Sequence, residues 1–298
     1  MVLGAAGCAT PEVAALRADA GGLPPQAEVA GVPFHPQREL YCGPAALATV
    51  LGWSGPPASQ DALATEVYTP GRGGTLGHDL IGAARRHGRL AVPVTDLPAL
   101  LGAVAAGHPV LVLQNLGLAW YPQWHYAVAV GYDLAAGELV LRSGEERRRV
   151  VPLETFARTW ARAERWAIVV LAPDTLPASA GEETVVRAAA GLERAGRAGD
   201  AILAYDAILE RWPASLGALI GRGNARYALG DLDGAARAYR AALESHPGAA
   251  AVWNNLADVL AAQGERKAAL IAARRAVALG GPHAETYRRT LDQIDGSA

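Results

Sequence analysis

The chain has 298 residues, a formal net charge of -2, 51% hydrophobic residues and 19% charged residues. This length suits two ordinary domains, and the near-neutral charge gives no reason to expect nucleic acid as a partner. No apolar stretch approaches the roughly 18 residues of a transmembrane helix. The two cysteines, Cys8 and Cys42, are too few for a disulfide framework or a structural zinc site, and we predict no metal and no cofactor.

The N-terminus resembles the cleavage end of a bacterial lipoprotein signal. Residues 1–8 read MVLGAAGC, with small residues directly before Cys8. The basic start and long apolar centre of a signal peptide are missing, which a start codon assigned too far downstream would explain. We expect Cys8 to carry a lipid that tethers the protein to a bacterial envelope membrane, facing the periplasm. The alternative is a plain N-terminus with an incidental Cys, and a cytoplasmic protein if no signal sequence lies upstream.

A compact domain is predicted after this segment. Residues 9–30 are rich in Ala, Pro and Gly without a sustained period, so residues 1–30 are interpreted as a signal remnant and tether. The domain itself is predicted over residues 31–174. Its helices are predicted over residues 42–52, 77–87 and 97–106, and its strands over 109–113, 125–132, 139–142 and 166–171, with a hairpin loop at 133–137. Helices followed by antiparallel strands predict an α+β domain.

The C-terminal part repeats itself. Residues 175–181 are predicted to be a linker, and residues 182–298 repeat with a period of 34. The recurring positions are Gly196, Gly230 and Gly264; Ala201, Ala235 and Ala269; and Pro213 and Pro247. This resembles the tetratricopeptide repeat, with Gly in the turn, a small residue where two helices cross and Pro closing the second helix. About three repeats and a capping helix over residues 284–294 predict an all-α solenoid with a groove for a protein partner.

Cys42 is the first candidate for chemistry. It lies where an irregular stretch meets the helix that begins Cys42-Gly43-Pro44, and a helix N-terminus favours a thiolate. Gly43 allows a substrate backbone to approach closely. Gln37 lies five residues upstream, so its amide is a candidate oxyanion donor. Taken alone, a Cys at a helix start is more often a small buried side chain.

His125 is the second candidate. It begins an apolar strand and is flanked by Trp124 and Tyr126. An imidazole on a rigid strand end can act as a base toward a thiol. Taken alone, a His before a strand is more often structural, so the argument rests on the combination with Cys42.

The combined motifs resemble the bacteriocin-processing peptidases, papain-like cysteine peptidases that cleave leader peptides after a double glycine. The residues that carry the resemblance are Gln37, Cys42-Gly43-Pro44-Ala45, His125-Tyr126 and Gly131-Tyr132-Asp133, within roughly residues 32–171. The layout is similar to a stand-alone bacterial lipoprotein branch of that family with C-terminal repeats. It implies a papain-like fold with Cys42 as nucleophile, His125 as general base and then acid, and Gln37 as oxyanion donor.

The third member of the site departs from the family pattern. The family usually places an Asp or Asn on the strand after the His strand, where this chain has Leu141-Arg142-Ser143-Gly144. Ser143 can hydrogen-bond the imidazole but has no charge to stabilise an imidazolium. Glu145 is the alternative, reaching His125 across the hairpin. Asp133 is interpreted as a turn residue.

Three functions follow. The first is hydrolysis of peptide bonds by a thiol mechanism, after Gly-Gly or other small residues, with the repeats recruiting a substrate or a partner. The second is a catalytically weak or inactive peptide-binding scaffold of the envelope, motivated by the missing acid. The third keeps the thiol chemistry but transfers the acyl group to an amine or thiol.

Overall fold

The computed structural model describes residues 10–38 and 40–296. The predictions for Cys8 and its lipid therefore lie outside the described residues. The chain divides into a first unit, which runs to Ala172 and includes residues 177–180, and a second unit made of residues 173–176 and everything from Gly181. Within the described ranges, no helix combines the length and the apolar character needed to cross a bilayer.

The first unit contains six helices and nine strands among its described residues. The helices are α1 (Pro11–Ala18), α2 (Cys42–Ser54), α3 (Gln60–Val67), α4 (Gly77–Arg86), α5 (Leu97–Ala105) and α6 (Leu153–Ala161). The strands are β1 (Gln26–Glu28), β2 (Tyr68–Thr69), β3 (Gly74–Thr75), β4 (Leu90–Pro93), β5 (Val110–Asn115), β6 (Trp124–Asp133), β7 (Glu138–Ser143), β8 (Glu146–Pro152) and β9 (Ala167–Leu171). The three predicted helices and four predicted strands are confirmed, with ends shifted by one or two residues.

One antiparallel sheet organises this unit. Its strand order is β4-β9-β5-β6-β7-β8, and β1 pairs with the far end of β6 beyond the reach of β5. The short strands β2 and β3 form a separate ribbon. The predicted hairpin loop after β6 is present, and Asp133 caps it by accepting the backbone N–H of Ala136 at 2.9 Å. The α+β class is confirmed.

Helix α2 is the central helix of the core. Residues 43–51 are buried without interruption, because the sequence is apolar around the whole helix rather than along one stripe. The helix packs on β6, whose residues 126–132 are buried as well. Cys42 therefore begins a helix that the core holds rigidly against the strand carrying His125.

The prediction of a tether over residues 9–30 is wrong for the described part of that segment. Val13 and Leu16 of α1 are 1% and 7% exposed and belong to the core of the first unit. Strand β1 extends the sheet by pairing Gln26 with Asp133. A helix of eight residues is too short to show a clear period, so only its packing partners reveal it.

The second unit is built from seven helices among its described residues. They are α7 (Glu182–Arg194), α8 (Ala198–Arg211), α9 (Leu216–Ala228), α10 (Leu232–Ser245), α11 (Ala250–Ala262), α12 (Arg266–Leu279) and α13 (Ala284–Asp295). Gly196, Gly230 and Gly264 occupy the turn between paired helices with φ of 74°, 78° and 79°, a conformation that disfavours any side chain. The repeating alanines 201, 235 and 269 are fully buried. The predicted repeat and its phase are confirmed.

Candidate active site

Cys42 lies at the first residue of α2, and its thiol is free. Burial raises the pKa of the Cys42 thiol, and hydrogen bonds from the backbone of Tyr126, Gly43 and Cys42 itself lower it by less. The hydrogen bonds at the helix start therefore lower the thiol pKa, as expected, but desolvation raises it by more. The net effect of the surroundings is to favour the neutral thiol.

His125 lies near the start of β6, opposite Gln114 of β5. Its Nε2 is 2.8 Å from the Ser143 Oγ at the end of β7. Since that contact occupies Nε2, Nδ1 is the ring nitrogen left to exchange a proton with a reacting group. Ser143 is therefore in hydrogen-bond contact with the ring, and its role as the third member stays a prediction.

The electrostatics around His125 oppose its protonation. Burial lowers the pKa of the His125 imidazole, and the positive charge of Arg149 on β8 lowers it further. A carboxylate in the place of Ser143 would instead raise the pKa of the imidazole. Burial therefore favours the neutral forms of both the imidazole and the thiol over an ion pair in the free site.

Glu145, the alternative third member, lies in the exposed turn between β7 and β8. Among the described residues, the side-chain hydrogen bond of His125 goes to Ser143. The turn directs the Glu145 side chain to solvent, whereas Ser143 is 5% exposed and faces the core. Of the two candidates that the sequence leaves open, Ser143 is the one in contact with the ring.

Gln37 is held beside Cys42 by the same turn. Its backbone N–H donates to the Gly144 carbonyl at 3.0 Å, which ties the segment before α2 to the β7–β8 turn. Gln37 and Cys42 line the same cavities on both sides of this segment. Gln37 and Cys42 therefore border the same space, and the oxyanion role of the Gln37 amide stays a prediction.

The cleft is an open cavity of about 500 Å³, which we call the front cavity. Cys42, His125 and Gln37 line it, together with Leu40, Leu113, Trp124, Tyr126 and residues 73–77. Tyr126 Oη donates to the Thr75 carbonyl at 3.2 Å, so the glycine-rich segment is fastened to the His strand. A Cβ on Gly43 would lie 2.7 Å from the Thr75 Cβ, so Gly43 is needed for this close contact.

Sequence reasoning missed two residues around His125. Arg149 is one of three consecutive arginines on an exposed strand. Nothing in such a run indicates which of the three lies near the site. Gln114 had a weak signal, since it is a polar residue directly after the apolar run of a buried strand. It is 4% exposed and pairs with His125 across the two strands.

A thiol at the start of a core helix and an imidazole on the adjoining antiparallel sheet, lining one cleft, define a papain-like thiol domain. Residues 29–168 match the model described as the Peptidase_C39 like family. Residues 186–235 and 220–284 match the tetratricopeptide repeat. The chain therefore contains a domain that matches the Peptidase_C39 like family, followed by tetratricopeptide repeats.

Solved structures are similar to each part separately. A crystal structure of a C39-like peptidase from Bacillus anthracis covers 49% of this chain and 97% of its own, at 21% identity and a TM-score of 0.44. The complex of the TPR2B domain of yeast Sti1 with pHsp70 covers 39% and 98%, at 17% identity and a TM-score of 0.37. The type III secretion translocator chaperone SycD of Yersinia enterocolitica covers 39% and 83%, at 20% identity and a TM-score of 0.36. Among curated proteins, none matches the chain.

Proposed function

We propose that the protein is a cysteine peptidase in which Cys42 attacks a peptide carbonyl and His125 moves the proton. The observation that carries this proposal is that Cys42 and His125 line one open cavity while Ser143 holds the far nitrogen of the ring. A nucleophile, a base and a residue that orients the base are the three parts of a thiol acyl-transfer site.

The proposed reaction has two stages. The Nδ1 atom of His125 takes the thiol proton as the sulfur attacks, and the Gln37 amide and Cys42 N–H stabilise the oxyanion. His125 then gives the proton to the leaving amine, and water hydrolyses the acyl-enzyme by the reverse transfers. Because burial favours the neutral forms of both groups, we expect proton transfer to accompany the attack, which makes the free site less reactive than a preformed ion pair.

The proposed substrate is a peptide with small residues before the scissile bond, for which Gly-Gly serves as the model sequence. The support is the resemblance of the motifs around Cys42 and His125. We further propose that the repeats recruit a protein or peptide through their groove, and that a lipid on Cys8 anchors the protein in the envelope. Extending the reading frame upstream of Met1 tests the anchor, since a stop codon there before any basic and apolar segment would contradict it.

The test of the activity uses a peptide aldehyde ending in Gly-Gly and a matching Gly-Gly peptide substrate. We expect the aldehyde to label Cys42 reversibly and the peptide to be cut after the second glycine. The Cys42→Ser and His125→Gln variants should lose both, because they remove the nucleophile and the base. Cleavage that survives in Cys42→Ser would contradict the proposal.

A peptide-binding scaffold is the second candidate. It is favoured by one observation, the combination of Ser143 in place of an acid with the positive charge of Arg149 near His125. In that case the wild type binds the Gly-Gly peptide, measured by calorimetry, but yields no product. A product that forms only when an amine is added would instead identify an acyl transferase.

A further inference from the structure

A second and smaller cavity also borders His125, and we call it the rear cavity. Its volume is about 70 Å³. Its polar and charged lining consists of Gln114, His125, Ser143, Arg149, Thr155 and Thr159. Since one water needs roughly 10–15 Å³ of such volume, this space holds an ion of a few heavy atoms.

The lining is unusual for a core position because several polar side chains are buried together. Gln114, Ser143 and Thr159 are 4%, 5% and 7% exposed. Gln114 Nε2 donates to Thr159 Oγ1 at 2.6 Å, and Thr159 Oγ1 donates on to the Phe156 carbonyl at 2.9 Å. This chain of hydrogen bonds fixes the amide and leaves its second N–H to serve another acceptor.

The ionisable groups that line the rear cavity are both basic. They are His125 and Arg149, and no carboxylate of the described residues lines it. Glu146 is the nearest acid along β8: it pairs with Ser143 across the hairpin, and its Oε1 is 3.5 Å from Arg149 Nη1. The Glu146 side chain is 60% exposed, so this ion pair lies toward solvent and is screened.

We propose that the rear cavity binds a small monovalent anion, such as formate, which supplies the negative charge that the site lacks. Arg149 would donate one guanidinium N–H to the anion. Ser143 would accept the Nε2–H of His125 and donate its own O–H to the anion. The hydrogen-bonded series of His125 imidazole, Ser143 hydroxyl and bound anion then replaces the imidazole-carboxylate pair of the family. This inference rests on the proposed peptidase function.

Binding of the anion changes the balance of charge around His125. The charged or titratable groups facing the ring are Cys42 from α2 and Arg149 from β8, with Glu146 beside Arg149. A negative charge in the rear cavity offsets Arg149 and favours the imidazolium, and therefore the thiolate. The reactivity of the Cys42 thiol at a pH below the ordinary pKa of a thiol should then depend on the concentration of the anion, and not on ionic strength alone.

The experiment measures alkylation of Cys42 by iodoacetamide in the full chain, near pH 6.5, the ordinary pKa of histidine. Cys8→Ser serves as the background, so that Cys42 is the thiol observed. Sodium formate is titrated against the sodium salt of a bulky sulfonate at constant ionic strength. We expect a saturable rise in rate of about tenfold, the change in thiolate that follows a shift of about one pKa unit.

Four variants test whether the response to formate arises in the rear cavity. Arg149→Gln should abolish the formate dependence, whereas the neighbouring Arg147→Gln should retain it. In Ser143→Asp, Cys42 should be alkylated rapidly without formate, and the rate should not depend on formate, because the new carboxylate supplies the negative charge. Glu146→Gln should respond to formate as the wild type does. If this variant lost the alkylation rate seen without formate, Glu146 would be the source of the negative charge near His125, and the proposal would be overturned.

The outcomes also separate this inference from the proposed function. Equal rates in formate and sulfonate, with a thiol that reacts well in both, would overturn the anion site alone. A formate dependence that persists in Arg149→Gln would do the same. A thiol that stays unreactive in every salt would contradict both the anion site and the peptidase.

Discussion

At the scale of single residues, burial has the largest effect on the protonation of Cys42 and His125, and Arg149 adds a smaller effect on His125. The pKa of the Cys42 thiol is raised and that of the His125 imidazole is lowered, in both cases mainly by burial. Each shift favours the neutral form, so the two effects reinforce each other. A catalytic carboxylate would counter this, but the hydroxyl of Ser143 contacts the ring without adding charge.

The lowered pKa of His125 makes stability depend on pH. In the unfolded chain the imidazole has its ordinary pKa of about 6.5, and in the folded chain its pKa is lower. Between these two values the unfolded chain binds more protons, so the free energy of unfolding decreases as the pH falls through this window. Above it, the contribution of His125 is fully present.

We expect His125→Gln to flatten this part of the stability profile, measured by urea unfolding at a series of pH values. The pKa values of His35 and His108 are also lowered by burial, so some slope remains in the variant. His78→Gln is the control, because its side chain is 77% exposed. Parallel profiles for wild type and His125→Gln would contradict the assignment.

At the scale of elements, a clear pattern over many residues is easier to predict than a short segment. Helix α2 and the repeats have long apolar or periodic patterns, and the sequence predicts both. It does not predict helix α3, helix α6 or strand β8. Strand β8 reads ERRRVVP and is exposed at the edge of the sheet, so it has no apolar alternation, and its pairing with β7 is what makes it a strand.

Close packing between repeat helices gives a prediction at this scale. A Cβ on Gly221 of α9 would lie 2.1 Å from the Tyr205 Cζ of α8, whereas a Cβ on Gly199 of α8 meets nothing within 4 Å. Gly221→Ala should therefore cost about 1–3 kcal/mol through overpacking. Gly199→Ala should be neutral or stabilise by up to about 1 kcal/mol. Thermal unfolding checks both, and equal effects of the two changes would be evidence against this packing.

At the scale of the whole molecule, the chain has separate hydrophobic cores. One cluster of buried residues runs from Val13 to Leu171 in the first unit, and another runs from Leu219 to Ala273 in the second. Each core belongs to a unit that buries its own apolar surface. The units should therefore unfold as separate cooperative systems.

Scanning calorimetry should resolve two transitions, and one glycine variant should move each. Gly43→Ala places a Cβ 2.7 Å from the Thr75 Cβ and should lower the transition of the first unit. Gly221→Ala should lower the transition of the second. The two variants also assign the transitions, because Gly43 belongs to the first unit and Gly221 to the second. If either variant moved both transitions equally, the units would have to unfold as one.

The sequence by itself determined the α+β class and the repeats, because these depend on local patterns and spacing. It also supplied the candidates Cys42, His125 and Gln37 from their motifs, and Ser143 from the resemblance to the peptidase family. Only the tertiary structure decided that Ser143 rather than Glu145 contacts His125, since strand register selects which side chain faces the core. It also brought Arg149 and Gln114 to the rear cavity from strands on either side of His125. Burial and long-range charge decide the protonation of the site, and both arise only when distant segments pack together.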